Sequence, residues 1–410
     1  MQPPPLPRAY LDNHATTRVD PRVVAAMLPF FEERYGNPGS FGHAWGRAAR
    51  DAVADAREAV AAAIGAAPDE IVFTSGATES NNLAIRGAAE HPRRRGQQMA
   101  AVTTEHPSVL EPLERLAKQG WKVTLLEVEP HGSPDAGTLD PERLRAALSD
   151  ETVLVSVMAA NNEIGALHPV AEVAALCRRR GAWLHCDATQ AVGKIPLHVR
   201  EWDVDLLSFT AHKIYGPKGV GVLFRRRQSP AVRLLPQLAG GGQEEGLRSG
   251  TLNVPGIVGL ATALQLCRAE LPAEMPRLAT LRNRLWETLA ARIPGAELCG
   301  PALDDPSDCT EGRRLRRLPG NLSVALGDVD GEAVILHAEQ VALSSGAACA
   351  SGKPGPSHVL AALGLSDDRA RSTLRFGLGR FTDDAQIDLA ASAIPAAVAR
   401  IRGLPIAPPC

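Results

Sequence analysis

Apolar residues recur three and four positions apart over residues 21–35 and 44–64, the period of helices that bury one stripe. After Gly65 the pattern changes. Short apolar runs now alternate with helical stretches to about residue 225: Ile71 to Thr74, Ala100 to Thr104, Lys122 to Glu127, Val153 to Met158, Trp183 to Cys186 and Leu206 to Thr210. That alternation predicts a mostly parallel sheet covered by helices. A helix from about Pro255 to Arg268 would then bridge to a smaller C-terminal unit, with strands expected within 319–326 and 371–377. The division predicted is a large domain over 13–259 and a smaller α+β domain built from 1–12 and 260–410. Residues 301–318 are polar, carry the run Arg313-Arg314-Leu315-Arg316-Arg317, and read as a solvated insertion.

Composition narrows the function classes. With 45% hydrophobic residues in 410, both cores can be substantial. A formal net charge of −2 and 4% aromatic residues give no reason to expect nucleic acid as a partner. Seven scattered cysteines with no C-x-x-C spacing argue against a zinc site or a disulfide framework. The N-terminus has no apolar secretory core, and no apolar run is long enough to span a bilayer, so a cytoplasmic protein is expected.

Three segments carry candidate chemistry. The run Leu206 to Ala211 leads straight into His212 and Lys213. Burial at a strand end lowers a lysine's pKa toward the neutral amine, the form that bonds to an aldehyde. Alone, a solvent-facing lysine after a strand is the commoner arrangement. Upstream, the run from Trp183 ends in Asp187, with Gln190 three positions on. Ligands of open α/β sheets sit beyond the carboxyl ends of strands, so neighbouring strands would bring Asp187 and Lys213 to one crevice. A carboxylate there can hold a pyridinium nitrogen protonated; its plainer use is as a helix N-cap. Finally, Glu70 to Arg86 reads as strand, glycine turn at Gly76, then helix. Ala77 and Thr78 at the helix start would suit a phosphate, although a simple capping box explains the same pattern.

Together these segments resemble a pyridoxal-phosphate enzyme of fold type I (aspartate-aminotransferase-like), in the class V aminotransferase group. The likeness extends along nearly the whole chain. It takes in Tyr10 to Thr17, Gly36 to Ser40, Thr104 to Ser108, Asn161 to Gly165, Arg248 to Thr251 and Leu374 to Thr382. The stretch Ser344-Ser345-Gly346-Ala347-Ala348-Cys349-Ala350-Ser351 resembles that of cysteine desulfurases. Its spacing to Val359 and Leu360 is similar to the long-loop, nitrogen-fixation and iron–sulfur-cluster type.

The resemblance implies roles position by position. Lys213 would join covalently to pyridoxal phosphate, Asp187 would pair with its ring nitrogen, and Gln190 would donate to its phenolic oxygen. His106 would stack on the ring and move protons. Thr78, Thr210 and His212, with the Ala77 backbone, would hold the phosphate, and Thr251 would reach it from a neighbouring subunit, which implies a homodimer. Asn162 would lie close to cofactor and substrate, and Arg375 would clamp the substrate carboxylate through a bidentate contact.

Cys349 decides the reaction class that the resemblance implies. Its surroundings, rich in small residues, glycine and proline, read as a mobile surface loop, where a thiol has the access a nucleophile needs. The expected reaction converts L-cysteine to L-alanine. The freed Lys213, or His106, removes the α-proton, and the Cys349 thiolate takes the sulfur as a persulfide for an acceptor protein such as an iron–sulfur scaffold. The alternatives are a selenocysteine lyase or another class V lyase or aminotransferase, which shares every cofactor residue, and a non-enzymatic sulfur-handling protein, against which the intact set of Lys213, Asp187, Gln190 and His106 argues.

Overall fold

The computed structural model describes residues 8–92, 96–228, 231–309, 314–346 and 355–404. Among these, thirteen strands form three sheets. In chain order they are β1 (Ala9–Tyr10), β2 (Ile71–Thr74), β3 (Gln98–Val102), β4 (Lys122–Leu126), β5 (Thr152–Ser156), β6 (Trp183–Asp187), β7 (Leu206–Thr210), β8 (Gly221–Arg225), β9 (Glu297–Leu298), β10 (Asn321–Ala325), β11 (Val341–Ala342), β12 (Ser344–Ser345) and β13 (Thr373–Gly377). The largest sheet has the order β2-β8-β7-β6-β5-β3-β4 and is parallel throughout except for β8, which runs against both of its neighbours. Its strands β2, β3, β5, β6 and β7 are buried at nearly every position, as a sheet covered on both faces requires. Two apolar clusters sandwich it, one around Val155, Leu207 and Phe209, the other around Leu83, Met99, Leu113 and Leu154.

A second core gathers Leu11, Leu285, Leu289, Leu322, Phe376 and Ile394. It lies on the antiparallel sheet β12-β13-β10-β9, backed by the helix Asp384–Ile401. At the other end of the chain, β1 pairs with β11, in register Ala9 with Val341.

Two helices differ from the sequence expectation, and both differences involve proline. The helix expected over 21–35 is split into Pro21–Met27 and Pro29–Glu32, because Pro29 has no N–H with which to continue the ladder. The helix expected to end near Arg268 runs instead from Val254 to Arg292, through Pro272 and Pro276. An interior proline costs about 3 kcal/mol. Beyond the prolines the helix buries Leu278, Leu281, Leu285 and Leu289. Each contributes about 1.5–3 kcal/mol on burial, enough to offset both prolines.

The solvated reading of 301–318 is overturned at its two ends. Arg317 is fully buried and donates to the carbonyls of Cys299 and Pro301 and to Asn321 Oδ1. Asp304 is buried as well and accepts from the backbone N–H groups of Arg316 and Arg317. A charge run read as solvent-facing thus contributes its last guanidinium to the interior, where carbonyls satisfy it.

Candidate active site

The strands deliver their carboxyl ends to one crevice. Ser75, Gly76 and the helix Ala77–Ala89 follow β2; Thr104, Glu105 and His106 follow β3; Met158, Ala160 and Asn162 follow β5; Asp187 ends β6; and a single 3-10 turn, Ala211–Lys213, follows β7. The cavity there has a volume of about 620 Å3. Its lining includes Lys213, Asp187, Gln190, His106, Thr78, Ala77, Thr210, His212, Asn162 and Arg375. Thr251 is exposed and does not line it. Its neighbour Arg248 is tied to the start of the Ala77–Ala89 helix by an ion pair with Glu79 at 2.8 Å. Cys349 lies outside the described residues.

Lys213 Nζ donates to the carbonyls of His14 (2.6 Å) and Ala15 (2.5 Å). Burial, aided by the Arg375 guanidinium, brings its pKa down to about 8, while Asp12 and Asp187 oppose the shift. Asp187 is almost fully buried. Its Oδ2 accepts from Asn81 Nδ2 at 2.8 Å and its Oδ1 from the Thr189 N–H at 2.9 Å. The segment after Asp187 forms a turn and not a helix, so the N-cap use weighed from sequence is not met; the bond to Thr189 closes that turn, and the carboxylate lines the cavity. Gln190 Oε1 accepts from Lys194 Nζ and its Nε2 donates to the His14 carbonyl, which leaves one amide hydrogen uncommitted.

His106 is the N-cap of the helix Pro107–Lys118, and its Nδ1 accepts from the Ser108 N–H at 3.1 Å. A backbone amide only donates, so the neutral ring carries its proton on Nε2. Burial lowers the His106 pKa, with Asp187 opposing and Lys213 adding to the shift. His212 is brought down to about 4, first by burial and then by Lys213, and its Nδ1 meets Thr16 Oγ1 at 3.2 Å. The Thr210 hydroxyl donates to the Val220 carbonyl at 3.0 Å. Arg375 bridges Asp12 Oδ1 and Ser344 Oγ, both at 2.9 Å, and donates to the Asn162 carbonyl.

Sequence reasoning missed several members of the site. Asn81 stands one helical turn beyond Ala77, fully buried against Asp187, and its spacing from Gly76 was the available signal. Glu105 is fully buried. Burial and then Asp187 push its pKa well up, favouring the neutral acid, while its Oε1 accepts from the Met158 N–H. Lys194, brought down to about 7 mainly by burial, fixes the orientation of the Gln190 amide.

The cavity suits pyridoxal phosphate on three structural grounds. Gly76 gives the Ala77–Ala89 helix no side-chain cap, so its first amides remain available to an anion. A Cβ on Gly221 would lie 2.6 Å from Gly76 Cα, so only glycine lets β8 approach this turn so closely. Among the described residues the buried Thr189 Oγ1 has no partner, and Thr189 lines the cavity. A strand-end lysine amine, a buried carboxylate and an anion-binding helix start on a mostly parallel sheet define a fold-type I pyridoxal-phosphate enzyme.

Comparison with known proteins places it more closely. The family model for aminotransferase class-V matches residues 9–389. The cysteine desulfurase IscS of Anaeromyxobacter sp. (strain Fw109-5) is 50% identical over 379 residues, covering 92% of this chain and 89% of the relative. Among solved structures, a NifS-like protein superposes with a TM-score of 0.85 at 36% identity, covering 96% of this chain and all of its own. SspA in complex with cysteine superposes with a TM-score of 0.75 at 31% identity over 90% of this chain and 98% of its own. The chain belongs to the class-V aminotransferase family and, within it, to the pyridoxal-phosphate-dependent cysteine desulfurases. Among the described residues no helix is long and apolar enough to cross a membrane.

Proposed function

We propose that this enzyme converts L-cysteine to L-alanine and passes the sulfur, as a persulfide on Cys349, to an acceptor protein such as an iron–sulfur scaffold in the cytoplasm. The observation that carries the assignment of roles is the convergence of Lys213 and Asp187 on one cavity at adjacent strand ends. Lys213 would hold the cofactor covalently, Asp187 its ring nitrogen, Gln190 its phenolic oxygen and His106 its ring face. The first amides of the Ala77–Ala89 helix, with Thr78, Thr210 and His212, would hold the phosphate. Bound there, pyridoxal phosphate supplies a ring that takes up an electron pair from bonds at the amino acid's Cα.

The chain's own groups supply binding and proton transfer. Arg375, fixed by Asp12 and Ser344, presents its guanidinium to the substrate carboxylate, and Asn162 sits beside it. Lys213 Nζ, with a pKa near 8, keeps a usable neutral fraction at pH 7 to take the Cα proton. His106 offers Nε2–H, which suits it to return a proton. The described cysteines are poor rivals to Cys349: burial pushes the thiols of Cys177 and Cys267 up to about 12, and it raises those of Cys186, Cys299 and Cys309 as well.

A homodimer completes the proposal. Leu28, Phe31, Tyr35, Phe41 and Trp45 are all more than half exposed within eighteen consecutive positions, apolar surface that a second subunit would cover. In the dimer Thr251 would serve the neighbouring subunit's phosphate. The test is mass spectrometry after incubation with L-cysteine. One extra sulfur is expected on Cys349. Cys349→Ala should keep the cofactor absorbance and form no alanine, and full alanine formation by that variant would refute the persulfide role.

A further inference from the structure

Beside the cofactor cavity lies an outer chamber of about 610 Å3, sharing His106, Asn162 and Arg375 with it. One ring in its lining has no role in the chemistry above. His358 opens the helix His358–Ala362, is exposed to the chamber, and places Nε2 2.8 Å from the backbone carbonyl of Glu105. A carbonyl oxygen only accepts, so Nε2 carries the proton and the neutral ring keeps its lone pair on Nδ1. The residue after Glu105 is His106, whose Nδ1 is committed to the Ser108 N–H and whose proton therefore sits on Nε2. Backbone contacts thus hold both rings of one chamber as the Nε2–H tautomer but occupy opposite nitrogens, which among the described residues leaves His358 its basic Nδ1 and His106 its N–H.

Sulfur transfer needs that pair of roles. The Cβ–Sγ bond of the substrate breaks and a sulfur–sulfur bond forms to the accepting thiol. The electron pair of the broken bond stays with carbon, which takes one proton to become the alanine methyl group. The accepting thiol gives up one proton on becoming the nucleophile. One proton leaves sulfur, one arrives at carbon, and no outside oxidant or reductant is required. We propose that His358 is the base for this step, its Nδ1 taking the proton of the thiol that receives the sulfur, while His106 Nε2–H faces the carbon side. The inference rests on the persulfide reading above and adds the base that reading lacks. The charged and titratable groups sharing the chamber with His358 are His106 and Glu111 from the Pro107–Lys118 segment, Glu163, Glu332 and Arg375.

The test is single-turnover alanine formation by the cofactor-loaded enzyme between pH 6.5 and 9.5, for wild type, His358→Gln and His358→Ala. Glutamine keeps an N–H for the Glu105 carbonyl but offers no basic nitrogen. Both variants should keep the wild-type cofactor spectrum and its change on adding L-cysteine. At pH 7 they should form alanine about 100-fold more slowly, within the range of a lost general base. The deficit should shrink toward a few-fold as pH passes the ordinary thiol pKa of about 8.5, where the thiol ionises unaided. Added imidazole should recover part of the His358→Ala rate at pH 7. A His358→Gln rate within twofold of wild type at pH 7, or a deficit constant across the whole range, overturns the assignment. Cys349→Ala run in parallel separates the two readings. If that variant forms alanine normally, the persulfide reading falls and His358 with it; if it is silent while His358→Gln is fully active, only the His358 assignment falls.

Discussion

The cofactor cavity and the outer chamber have almost the same volume, share three side chains, and are built in opposite ways. Strand ends of one sheet frame the inner cavity, and its key groups are held from behind: Asp187 by Asn81 and Thr189, Gln190 by Lys194, Lys213 by two carbonyls. The outer chamber draws on the Pro107–Lys118 and Gly331–His337 helices, β10, β12, β13 and the turn into His358–Ala362. One large apolar side chain in its lining, Leu336, stays exposed. Preorganised dipoles and charges suit a site that must stabilise charge at fixed atoms. A chamber assembled from separate segments suits a step in which a thiol arrives and then leaves with its sulfur.

Removing the covalent anchor proposed for the inner cavity is the most direct way to break this contrast. Lys213→Ala should lower alanine formation by about 10⁴-fold, because the group proposed to hold the cofactor would also move the Cα proton. Borohydride reduction followed by peptide mapping should find the cofactor on Lys213 in wild type and on no residue in the variant. Next in size is Asp187→Asn. An amide cannot hold the ring nitrogen protonated, and a fall of about 10²–10³-fold in kcat with the cofactor still bound is expected. Retained activity would mean that the buried carboxylate serves the fold alone, through Asn81 and Thr189.

Arg375 belongs to both spaces, so its variant sharpens the comparison. Arg375→Lys keeps the charge but loses the planar fork that now reaches Asp12, Ser344 and the Asn162 carbonyl. A rise in KM for L-cysteine of about 10–100-fold, with a smaller change in kcat, would place the residue at the substrate carboxylate. An unchanged KM would leave it as a strut between β13 and the N-terminal segment.

The two spaces were also unequally legible in the sequence. Lys213 and Asp187 stand at the ends of short apolar runs, and the strand-end rule alone brings them together. Asn81 lay within a motif already singled out, yet an asparagine inside a helix carries no mark of a partner 106 positions away. His358 depends on a contact with Glu105 across 253 positions, which no local pattern reports. The same reason explains Arg317. A run of arginines reads as solvated until tertiary structure supplies carbonyls for the last of them. Periodicity also failed at Pro272, where the free energy that keeps the helix going comes from leucines in a second core that the local window does not contain.

The smallest expected effect isolates the inner cavity by pH. With Lys213 as the proposed anchor, cofactor addition to the apoprotein would require its neutral amine. Burial has brought that amine down to about 8 from an ordinary lysine value. The shift is downward, so the reactive form gains population as pH rises through 8 and saturates above it. The second ionisation of the phosphate, near pH 6, is complete throughout pH 7–9.5 and adds no slope there. The loading rate, followed by the absorbance of the bound cofactor, should therefore rise several-fold from pH 7 to 8 and less than about twofold from 8.5 to 9.5. A rate still climbing tenfold per unit at pH 9.5 would mean that Lys213 is solvated as an ordinary lysine and that the inner cavity does not prepare its nucleophile. His358→Gln should leave this profile unchanged, because loading uses the strand-end groups and makes no demand on the outer chamber. A shift of the loading profile in that variant would show the two spaces coupled through the shared His106, and the division of labour drawn here would fail.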